Sequence, residues 1–252
     1  MPSADRKWLP VVLIGLAAVA SLLAYGRLPA MVDLRLEGML PFDPSGAASP
    51  VPRWLALFGI PTLALVLWVA FRAAPTAAGQ RVARRLFRGA PEVVTSPAQF
   101  ERFGKTYDTI VLAVVMLLLG GHAAIIIAAL GYAAIAVRVV PVVLGVCLIA
   151  MGNVMPRLRP NWVAGVRTKR TLEDPQLWRT THRAFGTAFV VAGSLTIVAA
   201  IAAPRYGLLT GIAALLLACV VGLVASTRPR PATHDALVAV GLLCAAIPAL
   251  AA

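Results

Sequence analysis

Charged residues are scarce in this chain, and acidic ones are scarcest. Only 13% of the 252 residues are charged, with 10 Asp and Glu against 23 Lys and Arg. The three cysteines all lie in apolar runs, where they are expected to pack and to form neither disulfides nor metal sites. No Ser/His/Asp, zinc-ligand or phosphate-loop spacing occurs. The sequence therefore predicts no enzyme, no metal and no cofactor.

Long apolar runs fill most of the chain. Hydrophobic residues make up 60% of it, and the mean hydropathy of +0.85 exceeds that of soluble domains. The runs do not alternate as barrel strands do, and helices satisfy their own backbone in lipid. The predicted fold is all-α, a polytopic transmembrane helix bundle. Six spans and a marginal seventh are expected at 8–25, 54–71, 109–130, 137–151, 187–203, 207–226 and 236–252.

The basic residues indicate the orientation of these spans. With the N-terminus cytoplasmic, most of the 23 lysines and arginines fall on the inner side, as the positive-inside rule requires. The exceptions are Arg27, Arg35, Arg53, Arg138 and Arg205. The net charge of +13 is thus explained by topology and by attraction to the anionic lipids of the inner leaflet, and it does not indicate nucleic-acid binding.

Three regions follow from this threading. Residues 1–71 form a two-span hairpin with an extracellular loop at 27–53, and 72–108 form a basic cytoplasmic loop. Residues 109–252 form a helical membrane domain with a cytoplasmic signature loop at 152–186. The first span also resembles a secretory signal with a cleavage-like triplet at 18–20. Because the apolar run continues past Ala20, an uncleaved span is favoured.

The signature loop carries most of the polar residues with a specific pattern. Asn153 ends the fourth span, where it is expected to cap the helix. Arg167 and its basic neighbours lie beside the hydroxyls of Thr168 and Thr171, a combination that would hold an anionic group or contact lipid phosphates generically. Both interpretations stay open.

A helix start follows the cations. Asp174 precedes Pro175, and such a pair caps and opens a helix. The next aromatic residues recur at helical spacing and are expected on one face, with the first of them at the headgroup level. These residues are Trp178, His182, Phe185 and Phe189.

Together the polar residues of this loop resemble the signature of the SdpI family. The matching residues are Gly152-Asn153, Pro160-Asn161, Gly165-Val166-Arg167-Thr168, Thr171-Leu172, Trp178, Thr181-His182-Arg183 and Gly186. Upstream, Leu28-Pro29 and Gly38 resemble the small N-terminal domain of unknown function that often precedes this signature. The histidine usual in that domain is missing, and Arg170 stands where the family often has tryptophan.

The resemblance implies a non-enzymatic binding protein of the bacterial plasma membrane. The family is typified by an immunity protein against a secreted toxin peptide, which also signals by retaining a cytoplasmic repressor at the membrane. The partners expected are therefore a toxin peptide, a repressor and membrane lipids. The binding candidates are Asn153, Asn161, Gly165, Arg167, Thr168, Thr171, Trp178, Thr181, His182 and Arg183.

Two other functions stay open. A lipid-linked phosphate enzyme or carrier would grip its anion with Arg167, Lys169 and His182, but only Glu173 and Asp174 are acidic nearby. A small-solute transporter would need ionisable groups buried in spans, and only His122 lies deep in one.

Overall fold

Helices dominate the computed structural model, which describes residues 8–33, 50–73, 76, 97–158 and 165–227. The α-helices of these ranges are α1 Leu9–Tyr25, α2 Arg53–Ala73, α3 Pro97–Ala129, α4 Ala133–Val154, α5 Lys169–Glu173, α6 Pro175–Ala202 and α7 Pro204–Thr227. A 3-10 turn, Met155–Arg157, follows α4. Two short strands, β1 Met31–Asp33 and β2 Pro50–Pro52, pair antiparallel.

The predicted all-α membrane bundle is confirmed. Each of the six main predicted spans coincides with one long helix, and five of the helices are long and apolar enough to cross a membrane. The sixth, α1, has 17 residues and measures about 26 Å, just short of a hydrocarbon core of about 30 Å. The marginal seventh span, 236–252, lies outside the described residues.

The basic loop predicted at 72–108 is shorter than expected. Helix α2 continues to Ala73, and α3 already begins at Pro97. Proline also opens α6 and α7, at Pro175 and Pro204. The first helical position needs no backbone N–H and favours the fixed φ of proline, so all three prolines act as start signals.

A small strand pair joins the two ends of the loop between α1 and α2. Val32 lies opposite Val51, and Val32 packs in a cluster with Leu28 and Leu57. Arg53 donates to the Leu28 carbonyl at 3.1 Å. The sequence did not predict these strands, because three-residue runs beside prolines carry no alternating pattern. The part of the loop between them lies outside the described residues.

Helices α4 and α6 approach each other closely through two pairs of glycines. A Cβ atom on Gly152 would lie 2.6 Å from the Gly186 carbonyl oxygen, and one on Gly186 would lie 2.6 Å from that of Gly152. Gly145 and Gly193 meet in the same way two turns away, at 2.7 and 2.4 Å. Small residues allow membrane helices to gain van der Waals contact at short range. These pairs fix α6 against α4, next to the signature loop.

The helices alternate in direction, so the bundle has two ends. The Tyr107 hydroxyl on α3 donates to the Phe71 carbonyl near the end of α2 at 2.7 Å, and Arg72 pairs with Asp108 at 3.4 Å. Helix α4 ends, α6 begins and α7 ends on this same side, which we call the signature end. The strand pair lies at the opposite end.

A buried polar contact joins α1, α2 and α3. The Ser21 hydroxyl donates to the Leu57 carbonyl at 2.6 Å and lies 2.9 Å from His122 Nε2. A hydroxyl can donate only one hydrogen bond. Because the Ser21 hydroxyl donates to the Leu57 carbonyl, the contact with His122 has Nε2 as the donor and Ser21 Oγ as the acceptor. His122 is only 2% exposed. This contact gives the histidine a structural role and supplies no argument for transport.

Candidate functional site

The signature loop is held by an interlock between its backbone and the first two turns of α6. The participants are Leu158, Gly165, Val166, Trp178 and His182, and we call them the Trp–His lock. Asp174 positions the two rings, because its carboxylate accepts from the backbone N–H groups of Gln176 and Leu177 at 2.9 and 3.2 Å. The predicted helix start at Asp174-Pro175 is therefore confirmed.

Trp178 is the first ring of the lock. Its side chain is fully buried, and its indole N–H donates to the Leu158 carbonyl at 2.7 Å. The indole stacks on the His182 ring with centroids 3.9 Å apart. That Trp178 lies at the headgroup level stays a prediction. A tryptophan needs one acceptor for its N–H, and here the protein itself supplies it, which allows complete burial.

His182 uses both ring nitrogens inside the lock. Nδ1 lies 2.8 Å from the Trp178 carbonyl, and the Val166 backbone N–H donates to Nε2 at 3.1 Å. A backbone N–H needs an acceptor, so Nε2 carries no proton and Nδ1 is the donor. The imidazole is thereby fixed as one neutral tautomer. With no free nitrogen and no exposed surface, His182 connects the loop to α6.

Gly165 is required by the position of that ring. Its φ of +105° lies in the left-handed region, and a Cβ atom at this position would lie 2.0 Å from His182 Nε2. Both the backbone conformation and the lack of space therefore demand glycine. Gly165 and His182, which both belong to the sequence motif, therefore pack directly against each other.

Thr168 and Thr171 fold the chain after Gly165. The Thr171 backbone N–H donates to Thr168 Oγ1 at 3.2 Å, and the Thr168 N–H donates to Thr171 Oγ1 at 3.0 Å. This reciprocal capping box starts α5. The Thr171 hydroxyl also donates to the Val166 carbonyl at 2.8 Å. These hydroxyls thus maintain the turn, so they offer little to a bound anion.

The remaining candidates divide by burial. Asn153, Arg167 and Arg183 are exposed, and Thr181 is fully buried with no hydrogen-bond partner for its hydroxyl in the described ranges. Asn153 lies inside α4, which continues to Val154, so the prediction that it caps this helix is wrong. The helix instead continues directly into the 3-10 turn, whose first residue, Met155, is the C-cap of α4. Asn161 lies outside the described residues.

The basic cluster that follows Gly165 is only partly available to a ligand. Arg170 reaches across to donate to the carbonyl of Thr227 at 3.0 Å, where it caps the end of α7. Lys169 and Arg167 are exposed as well. All three predicted cations are therefore at the surface, and one of them, Arg170, also holds the last helix.

The structure also brings the candidate Arg183 together with Arg157 and Arg179, two arginines that the sequence did not single out. A cavity of about 460 Å³ lies beside the lock, and three arginines belong to its wall. Its lining residues are Pro156, Arg157, Leu158, Pro175, Trp178, Arg179 and Arg183. The one sequence signal for it is the spacing of Arg179 and Arg183 one helical turn apart. Among the residues that the structure describes, no His, Cys, Asp and Glu cluster could hold a metal.

The fold and this site define a multi-pass helical membrane protein with a buried Trp–His lock at one end of the bundle. Residues 157–227 match the model of the SdpI/YfhL protein family. The chain is also similar to the immunity protein SdpI of Bacillus subtilis (strain 168). The two are 24% identical over 216 residues, which cover 86% of this chain and 91% of that protein.

These matches confirm the resemblance to the SdpI family, and the matched segment contains the whole lock. Its five residues, Leu158, Gly165, Val166, Trp178 and His182, all lie within 157–227. No solved structure matches the chain. The likeness of the loop between α1 and α2 to the N-terminal domain that often precedes the signature stays a prediction.

Proposed function

We propose that this protein is a non-enzymatic immunity protein of the bacterial plasma membrane, which protects its cell from a secreted antimicrobial peptide. The observation that carries the proposal is the Trp–His lock within the segment that matches the SdpI family. The similarity to a protein named as an immunity protein over 86% of this chain supports the same function.

The state of the lock favours binding over catalysis. A general base must present a free lone pair to its substrate, and a nucleophile needs such a base beside it. His182 Nε2 accepts from the Val166 N–H, and the ring is fully buried. Asp174 is occupied as a helix cap. His182 and Asp174, the groups that could serve an enzyme as base or acid, are thus committed to internal contacts.

The proposed orientation has the signature end in the cytoplasm. Among the described residues, Arg72, Arg157, Arg167 and Lys169 gather at this end of the bundle, whereas fewer cations lie near the strand pair. Such an asymmetry supports a cytoplasmic signature end. The toxin peptide would then meet the outer face or the bundle.

The same end is the proposed docking site for a cytoplasmic repressor. Arg167 and Lys169 are exposed there, on a loop that the lock and the Thr168 capping box hold in one conformation. A preformed cationic surface binds an acidic partner without first ordering the loop. Peptide binding elsewhere in the bundle would control this surface by favouring one of two packing arrangements.

A survival assay tests the immunity function. We expect deletion of the gene to sensitise the cell to peptides secreted by neighbouring strains, and expression of the intact chain to restore survival. Gly165→Ala should fail to restore it, because the lock cannot close around a Cβ atom. Gly15→Ala is the matched control, since its Cβ would meet nothing within 4 Å. Immunoblots of the membrane fraction must show equal amounts of both variants.

Equal survival of the deletion strain and its parent across such peptides would contradict the immunity function. Repressor docking is read separately in the same cells, from proteins crosslinked to a photoreactive residue at position 169 before and after peptide exposure. If immunity persists while no cytoplasmic protein is captured, the docking step is wrong and the immunity function stands.

A further inference from the structure

We propose that the signature end holds one anionic phospholipid, with its phosphate on an arginine cluster and one acyl chain in a groove between α6 and α7. The inference depends on the membrane bundle and not on immunity. It starts from two adjoining cavities that share one residue, Arg183.

The polar cavity suits a phosphodiester headgroup. It has a volume of about 460 Å³, and the exposed side chains of Arg157, Arg179 and Arg183 surround it. Among the described residues, no carboxylate forms an ion pair with any of these three arginines. One guanidinium group can donate two parallel hydrogen bonds to the oxygens of a phosphate, and it is more weakly hydrated than an ammonium group. A site of this composition selects an anionic lipid over a zwitterionic one.

The second cavity suits a hydrocarbon chain. It has a volume of about 620 Å³ and runs along α6 and α7, beginning at Thr180 and Arg183 and continuing to Leu195. Alanines form much of its lining, and larger apolar side chains complete it. The alanines include Ala184 and Ala188, and the larger residues include Val191 and Leu195.

Because both cavities are lined by Arg183, this residue indicates what kind of molecule could occupy them together. Arg183 lies at one end of the apolar groove and also lines the arginine cavity, so a molecule in both places has an anion joined directly to a long apolar chain. The rims of the groove face lipid, because Val191 and Leu195 are 52% and 53% exposed. A phospholipid of the adjacent leaflet meets both requirements without leaving the membrane.

Headgroup selection is tested with the full chain in a neutral detergent. Phosphatidylglycerol or phosphatidylcholine with identical acyl chains would be added to the protein. Native mass spectrometry would then count the lipid molecules that bind. We expect one phosphatidylglycerol to bind at least about tenfold more tightly than phosphatidylcholine, and each of Arg179→Gln and Arg183→Gln to weaken it about tenfold. Arg183→Lys should retain part of the binding. Arg205→Gln, an exposed arginine at the opposite end, is the matched control and should change nothing.

Two further arms separate a lipid from other occupants. Ala188→Phe fills the groove and should reduce phosphatidylglycerol binding, while inorganic phosphate alone should neither bind nor displace the lipid. Phosphate binding as tight as that of the lipid would overturn the role of the groove. A lipid-free dimer would indicate a second copy on this face and overturn the proposal, as would equal binding of the two lipids. If Ala188→Phe does not fold, Ala184→Leu tests the same groove nearer the arginines.

Discussion

Replacing Trp178 with alanine is expected to cause one of the two largest losses of stability at the signature end. The substitution empties a fully buried site, removes the hydrogen bond to the Leu158 carbonyl and exposes one face of the His182 ring. Truncation of a buried tryptophan costs about 3–5 kcal/mol, which for a chain of this size lowers the unfolding temperature by about 10 °C. The apparent unfolding temperature in mild detergent, followed by size exclusion after heating, measures it.

Two other tryptophan substitutions make this result interpretable. Trp54→Ala is the matched control, because Trp54 is 59% exposed and should shift the unfolding temperature by no more than about 2 °C. Trp178→Phe keeps most of the packing and leaves the Leu158 carbonyl without its donor, which costs about 1–3 kcal/mol. If Trp178→Ala unfolds at the same temperature as Trp54→Ala, the lock does not stabilise the bundle.

Gly165→Ala is the second change with a large expected effect. An alanine forced into a left-handed conformation costs about 1–2 kcal/mol. Its Cβ would also lie 2.0 Å from His182 Nε2, so the ring must move and the Val166 N–H loses its acceptor, at about 1–3 kcal/mol more. We expect the unfolding temperature to fall by roughly 5–15 °C. Gly15→Ala, with open space around its Cβ, should leave it unchanged.

A double-mutant cycle shows whether the loss comes from the clash itself. His182→Ala removes the ring that a Cβ at position 165 would strike, so it should cost less in the Gly165→Ala background than in the native protein. Residues in direct contact show coupling of about 0.5–3 kcal/mol, and independent residues add. Simple additivity would mean that Gly165 and His182 do not act on each other.

Much of the bundle could be predicted from the sequence, because lipid leaves the backbone few alternatives. Apolar runs gave each of the six main helices, and Asp174-Pro175 gave the start of α6 to the residue. Trp178, His182, Phe185 and Phe189 lie on one face of α6 as the helical spacing predicted, and the structure shows that this face is buried. All of these features depend on contacts within one helix or between a helix and lipid, and such contacts are local in sequence.

The site could not be predicted in the same way, because its contacts join residues far apart in the chain. The role of Gly165 follows only from a ring that lies 17 positions later, and the burial of Trp178 follows from an acceptor on Leu158. The arginine cavity needs Arg157 and Arg183 on different elements. Composition can show that these residues are unusual. The pairing of one with another is decided by how α4, the loop and α6 pack.

Cysteine labelling in intact bacteria tests the central claim, that the lock lies at the cytoplasmic end of a membrane bundle. In a chain whose native cysteines are replaced, Lys169→Cys marks the signature end, and Tyr132→Cys marks the turn between α3 and α4 at the other end. A membrane-impermeant maleimide should label position 132 in whole cells and position 169 only after lysis. Labelling of position 169 in whole cells would contradict the orientation and the proposed docking of a cytoplasmic repressor.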